Sequence, residues 1–118
     1  MKISRKKQLL EQTLLVMAVG LCTALEEGRI RIDDAEYLLF SPRTMTLIEE
    51  AGLSPELLSV IHNGTELEDV ESLAPELLAG EIRKLKASAV AQLRPLPLRE
   101  MGGRSWIVDC FEHERLDG

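Results

Sequence analysis

Four carboxylates within six residues form the densest group of reactive side chains in this sequence. They are Glu66, Glu68, Asp69 and Glu71, and they begin one helical turn after His62. A calcium loop needs alternating oxygen ligands and a mid-loop glycine, and a di-iron site needs Glu-x-x-His pairs on two helices. Neither pattern occurs around these residues, so we expect no metal site here.

Helix capping accounts for much of this group of carboxylates. Thr65 and Glu68 have the spacing of a capping box, and carboxylates in a first helical turn interact favourably with the helix dipole. The cluster is nevertheless denser than capping requires, so we predict that it also forms an acidic surface that another protein recognises. The predicted interaction residues are His62, Glu66, Glu68, Asp69 and Glu71.

The cysteines and histidines do not form a recognisable catalytic or metal-binding motif. A zinc site would need all four of them, and only Cys110 and His113 are close in the sequence. Cys22 falls on an apolar helical face, where a cysteine usually serves as a small core residue. The chain also lacks a glycine-rich phosphate loop, a nucleophile elbow and a dinucleotide fingerprint. We expect no cofactor and no enzymatic activity, with a small thiol or histidine enzyme as an alternative.

Residues 46–64 resemble the helix-turn-helix of bacterial repressors, with Gly52 at the turn. The resemblance fails at two points that matter for DNA binding. Ile48 stands where the family has a small residue, and the second helix offers Glu56, Ser59 and His62 rather than basic or amide side chains. Because carboxylates repel phosphates, we expect no nucleic-acid partner, and a DNA-binding regulator is kept as an alternative.

The composition favours an α-helical, cytoplasmic protein. Four residues are aromatic, so the core must be aliphatic, which favours packed helices over sheets. Two cysteines 88 residues apart are typical of reduced thiols rather than a disulfide framework. The net charge of −6 argues against nucleic acids and anionic membranes, so the expected partner is another protein or a second copy in a homodimer.

The N-terminus has some features of a signal peptide, because a basic stretch at 1–7 precedes an apolar run at 14–25. Gln8, Glu11 and Gln12 interrupt the join between the two. The apolar run is also shorter than the roughly 20 residues that a membrane span needs. We therefore expect neither export nor a membrane segment.

Helical periodicity predicts a first helix over residues 5–27 that ends before Gly28. Gly20 would let another helix approach it closely. The predicted buried face, with a 4-3-4-3 spacing, consists of Leu10, Leu14, Met17, Leu21 and Ala24, and Val16, Cys22 and Leu25 widen it.

The remaining helices are predicted from their start signals. Asp33 and Glu36 have capping-box spacing, and serine before proline at Ser41 and Ser54 is a typical helix start, as is Ala74 before Pro75. The last helix, at about 75–93, has one apolar face, formed by Leu78, Ile82, Leu85, Ala89 and Leu93.

Two prolines and two glycines at 94–103 interrupt the helical pattern. We divide the chain into a helical domain at 1–93 and a linker with a C-terminal tail at 94–118. Residues 104–112 could form one short strand, which would need a partner strand.

Three motifs resemble a small bacterial family of uncharacterised proteins. They are "GLCTALE" at 20–26, the stretch from Ala35-Glu36 to Ser41-Pro42, and "GTELED" at 64–69. The resemblance covers residues 16–93 and implies a bacterial, cytoplasmic origin, without a known activity or cofactor.

Taken together, these features predict an all-α orthogonal bundle of five or six helices, with the first and last long helices central and an extended tail. The predicted function is a non-enzymatic protein-interaction module. One specific version is an immunity or antitoxin protein that covers a basic site on a toxin with its acidic face.

Overall fold

One long N-terminal helix is followed by shorter ones in the computed structural model, which describes residues 4–96 together with Val108 and Phe111. Helices of nine or more residues are α1 (Arg5–Glu26), α3 (Pro42–Glu50), α4 (Pro55–Thr65) and α6 (Leu78–Gln92). Two seven-residue helices are α2 (Ile32–Leu38) and α5 (Leu67–Leu73), and a 3₁₀ turn at Pro75–Leu77 leads into α6. The described residues contain no strand, which confirms the all-α class. The orthogonal crossing of the helices stays a prediction.

Serine and glycine delimit the helices as predicted. The Ser41 and Ser54 hydroxyls accept hydrogen bonds from the Thr44 and Leu57 backbone N–H groups, each at 3.2 Å. Each serine therefore satisfies one of the unpaired N–H groups at a helix start. Gly28 and Gly52 have φ values of 68° and 69°, the left-handed conformation in which glycine ends a helix without strain.

Two predicted capping boxes are wrong. Helix α2 begins two residues earlier than expected, and the Asp34 carboxylate accepts the Arg31 N–H at 2.8 Å. Thr65 is the last residue of α4, and its hydroxyl donates to the His62 carbonyl at 2.6 Å. Helix α4 thus continues almost directly into α5 through Glu66, which keeps a helical backbone.

The core lies where α1 and α4 pack against α6. It is aliphatic apart from the ring of Phe40 and the thiol of Cys22, both fully buried. The predicted face of α6 is confirmed, with Ile82, Leu85 and Ala89 buried and Leu78 and Leu93 packed against the core. An ion pair between Lys86 and Glu26 at 2.9 Å also joins α6 to the end of α1.

The most deeply buried side of α1 is rotated from the predicted face, although the predicted Cys22 is fully buried and Leu14, Met17, Leu21 and Leu25 pack against the core. Its fully buried side chains are Leu15, Ala18 and Cys22. Each follows a residue of the predicted 4-3-4-3 series by one position, which corresponds to a rotation of about 100° around the helix axis. Of that series, Leu10 is exposed and the other members are only partly buried. Helix α1 packs against α6, and the small residues Ala18 and Cys22 of α1 and Ala89 of α6 are all fully buried.

The apolar run at 14–25 is shorter than a membrane span, but the length of this run is not a sufficient argument against one. Helix α1 extends well beyond the apolar run at 14–25, and by length and composition alone it could cross a membrane. Core helices and signal sequences share these properties. In this structure α1 packs against α6 with Leu15, Ala18 and Cys22 buried, and it leaves Leu10 and Val16 exposed.

The predicted tail lies mostly outside the described residues, as do Cys110, His113 and the segment proposed as a strand. Within that segment Val108 and Phe111 are described, and both are helical. The division between a domain at 1–93 and a tail at 94–118 stays a prediction.

Gly64, rather than Gly20, is the glycine against which another part of the chain packs closely. A Cβ atom on Gly64 would lie 2.4 Å from two atoms of the Phe40 ring, whereas one on Gly20 would have no neighbour within 4 Å. The prediction for Gly20 is therefore wrong, because this residue faces outward from α1.

Gly64→Ala should destabilise the protein by about 1–3 kcal/mol or more, because Phe40 is fully buried and cannot move aside. Urea denaturation followed by circular dichroism measures the free energy of unfolding.

Gly20→Ala is the matched control, with the same substitution in an exposed helical position. It should stabilise the protein by about 0.5–1 kcal/mol, since alanine favours the helix. Equal effects of the two substitutions would contradict the close packing of Phe40 on Gly64.

Candidate functional site

The predicted site residues divide between two sides of the α4–α5 junction. His62 lies in the last turn of α4, and its Nε2 atom is 3.2 Å from Oε1 of Glu66, with both side chains exposed. A protonated histidine in this position would interact favourably with the carboxylate and with the C-terminal end of the helix dipole. His62 and Glu66 therefore form a local pair.

Glu66 also borders a small cleft of about 210 Å³ between α4, α5 and α6. The opposite wall carries Glu81 and Lys84, which form an exposed ion pair at 3.3 Å. The cleft thus holds one lysine, which is already paired with Glu81.

Glu68 and Asp69 lie on the other side, in the first turn of α5, where this helix packs against α2. Their charges act on Glu36 of α2, as does the charge of Asp33. We call these four residues, Asp33, Glu36, Glu68 and Asp69, the acidic face. Glu71 is exposed on α5 and is not among the groups that act on Glu36.

Glu36 is the central residue of the acidic face. Its Oε1 atom is buried and has no hydrogen-bond partner among the described residues. Burial raises the pKa of Glu36 above its ordinary value of 4.5, and a hydrogen bond with the Glu68 carboxyl and the charges of Glu68, Asp33 and Asp69 raise it further. The fold therefore holds carboxyl groups together against their mutual repulsion.

Asp33 and Glu36 belong to this face although sequence reasoning assigned them only to a helix start. Their spacing of three residues puts them on one side of a helix, and this was the available signal. The capping interaction is made by Asp34 instead, so Glu36 is left free to face α5. The sequence pattern does not indicate that α2 packs against α5.

Among residues 4–96, none of the acidic-face carboxylates forms an ion pair with lysine or arginine. The described residues also contain no group of three or more histidine, cysteine or acidic side chains arranged to hold a metal ion. The acidic face is thus a local excess of negative charge that the described part of the chain does not neutralise.

Helices α3 and α4 pack against each other across the Gly52 turn, as the resemblance to a helix-turn-helix predicts. Ile48 is buried where that family has a small residue. The exposed residues on this pair of helices include Glu49, Glu50 and Glu56, which would repel a phosphate backbone.

Cys22 lies in the core between α1 and α6 and is fully buried. Burial raises the pKa of its thiol to about 11, the Glu26 carboxylate raises it further, and Lys86 lowers it. At neutral pH the thiol therefore stays protonated, whereas a nucleophilic cysteine needs its thiolate form.

Comparison with known proteins identifies a family. A family model described as "Protein of unknown function (DUF3969)" matches residues 5–108. This match confirms the resemblance to a family of uncharacterised proteins and extends it beyond residues 16–93. No curated protein and no solved structure matches the chain significantly.

Glu36→Gln should raise the melting temperature at pH 7 by a few degrees. Because the pKa of Glu36 is higher in the folded than in the unfolded state, the folded state binds this proton more tightly. Its contribution to stability is therefore greatest below pH 4.5 and is lost as the pH rises through the raised pKa. The amide has no charge to bury, so wild type and variant should converge near pH 4 in thermal melts.

Glu71→Gln removes one charge from the same region without touching the groups around Glu36, and it should leave the melting temperature nearly unchanged. A variant Glu36→Gln that melts below wild type at pH 7 would contradict the repulsion described above.

Cys22 should react slowly with a thiol reagent such as DTNB in a Cys110→Ser background, which leaves one thiol to follow. A pKa near 11 instead of 9.0 lowers the thiolate fraction about a hundredfold, and burial slows access further. The reaction rate should therefore rise by at least about a hundredfold in denaturant. Similar rates in native and denatured protein would show that Cys22 is accessible and reactive.

Proposed function

The chain belongs to the DUF3969 family, whose function is unknown, and from its acidic face we propose that it is a non-enzymatic protein-interaction module. The partner is a protein with a basic surface, met in the cytoplasm. The observation that carries this proposal is the position of Glu36, whose carboxyl is held among Glu68, Asp33 and Asp69 without a cation from residues 4–96.

Stability alone does not favour this arrangement. Like charges held together and a buried, unpartnered carboxyl oxygen both weaken the folded state. Natural proteins commonly keep such unfavourable groups where function requires them. A basic partner would supply the missing cations, so its binding would relieve the repulsion in addition to forming new contacts.

The chemistry of the face favours a protein partner over the alternatives. Carboxylates repel nucleic-acid phosphates and anionic lipid headgroups. Arginine and lysine side chains of a protein can pair with several carboxylates at once, and arginine does so with two parallel hydrogen bonds. The fully buried thiol of Cys22 and the acidic surface of α3 and α4 weigh against the thiol enzyme and the DNA-binding regulator.

An immunity or antitoxin protein is a specific form of this proposal. A small acidic protein can block a toxin by covering the basic site that the toxin uses on its own anionic substrate. Electrostatic attraction would then speed association and make it sensitive to salt. The net charge of −6 and the acidic face support this version.

Affinity capture from a lysate of the source cells, with three forms of the full chain, tests the proposal. The variant Glu36→Gln, Glu68→Gln, Asp69→Asn removes three charges from the acidic face. The control variant Glu49→Gln, Glu50→Gln, Glu56→Gln removes three exposed charges from α3 and α4. We expect a stoichiometric basic partner with wild type and control, and at least about a tenfold loss of affinity with the acidic-face variant.

Thermal melts of the same proteins separate loss of binding from misfolding. The acidic-face variant should melt at or above the wild-type temperature because repulsion is removed, and titration calorimetry should show weaker wild-type binding at higher salt. A partner that stays bound to the acidic-face variant, or the absence of any basic partner at low salt, would refute the proposal.

A further inference from the structure

Two large apolar residues on the helices of the acidic face are almost entirely exposed. Tyr37 of α2 is 90% exposed and Leu73 of α5 is 84% exposed, whereas the other exposed large hydrophobic residues in the described part of the chain lie between 40% and 58%. Single exposed leucines are common on protein surfaces. Two residues with this degree of exposure, one on each helix of the acidic face, are an observation independent of its charge.

Each of the two residues follows a carboxylate of the acidic face by one helical turn. Tyr37 comes four positions after Asp33, and Leu73 comes four positions after Asp69. Residues four apart lie on the same side of a helix, with about 5–6 Å between their Cβ atoms. Tyr37 therefore shares a side of α2 with one carboxylate of the acidic face, and Leu73 shares a side of α5 with another.

The two helices are small enough for one partner to cover both residues. Each helix has seven residues and is therefore about 10 Å long, and helices in contact have axes about 8–10 Å apart. Because α2 packs against α5, Tyr37, Leu73 and the acidic face fit within the roughly 800 Å² that each protein buries in a standard interface. They can thus act as one binding surface.

Folding does not account for the exposure of these two residues. A residue that stays this exposed gains little from apolar burial, and tyrosine favours a helix less than alanine, glutamate or lysine does. At protein interfaces, in contrast, tyrosine is one of the residues that contribute most to binding, because its ring is large and its hydroxyl can form a hydrogen bond. A partner that covers the acidic face would also bury Tyr37 and Leu73.

The combination of charge and apolar surface specifies the chemistry of the partner. The acidic face needs lysine or arginine, because residues 4–96 form no ion pair with it. Tyr37 and Leu73 need apolar side chains about one helical turn from those cations. A basic amphipathic helix has this arrangement, with apolar residues three or four positions apart and basic residues beside them. Its arginine side chains can also stack on the ring of Tyr37.

We propose that the acidic face binds a basic amphipathic helix of another protein, with Tyr37 and Leu73 as apolar anchors and the carboxylates paired with its lysine and arginine side chains. This inference rests on the proposed function and specifies its partner, which must be apolar as well as basic.

Two labelled synthetic peptides test this by fluorescence anisotropy with the full-length protein. Both have about 18 residues, long enough to form a helix. The first consists of lysine, arginine and leucine, with the leucines at helical spacing. The second has glutamine in place of each leucine and therefore the same charge. We expect wild type to bind the leucine peptide at least about tenfold more tightly than the glutamine peptide.

The double variant Tyr37→Ala, Leu73→Ala should lose most of this preference and keep the weaker, salt-dependent binding of the glutamine peptide. The matched control is Val16→Ala, Val90→Ala, because Val16 and Val90 are 58% and 48% exposed on α1 and α6, and it should keep the preference. Since all four positions are exposed, both variants should melt near the wild-type temperature. If the double variant melts lower, Tyr37→Ala alone gives the same test.

The peptides separate failure of this inference from failure of the proposed function. Equal affinity of wild type for the two peptides, or a preference that the folded double variant keeps, would overturn the inference and leave the acidic recognition site standing. Binding of neither peptide at low salt would overturn both. A wild-type dimer in sedimentation that the double variant converts to a monomer would overturn the inference in favour of a second copy of this chain.

Discussion

The contact between the Phe40 ring and the backbone of Gly64 constrains the position of α2 relative to α4 and α5. Phe40 follows α2, and Gly64 lies in the last turn of α4, where that helix passes into α5. Loss of a buried phenylalanine side chain typically costs about 3–5 kcal/mol, a large part of the 5–15 kcal/mol that stabilises an ordinary domain. The contact therefore holds the end of α2 at the α4–α5 junction.

The acidic face is a consequence of this contact. Once α2 is held beside α5, Glu36 must face Glu68 and Asp69, and the folded chain keeps these carboxyl groups together although burial and repulsion raise the pKa of Glu36. The four carboxylates that are adjacent in the sequence have different environments. Glu66 pairs with His62, whereas Glu68 and Asp69 join a residue from another helix. Proximity in the sequence is thus a poor guide to which charges act together.

The unburied face of α1 has a similar origin. Helix α1 buries Leu15, Ala18 and Cys22, and it packs mainly against α6, because a protein interior must be filled closely by the side chains that meet there. Part of its leucine-rich face is then left exposed, as Leu10 shows. The proposed acidic recognition site lies apart from this face, on α2 and α5.

The sequence by itself determined the helical class, most helix boundaries and the buried face of α6. These depend on local signals, namely serine and proline at helix starts, glycine with positive φ at turns, and the 3.6-residue period of Ile82, Leu85 and Ala89. Only the tertiary structure decided which face of α1 is buried, which glycine meets an aromatic ring, and which carboxylates share a surface. Periodicity shows that a helix has an apolar side, but the size and position of the neighbouring helix decide how much of that side is covered.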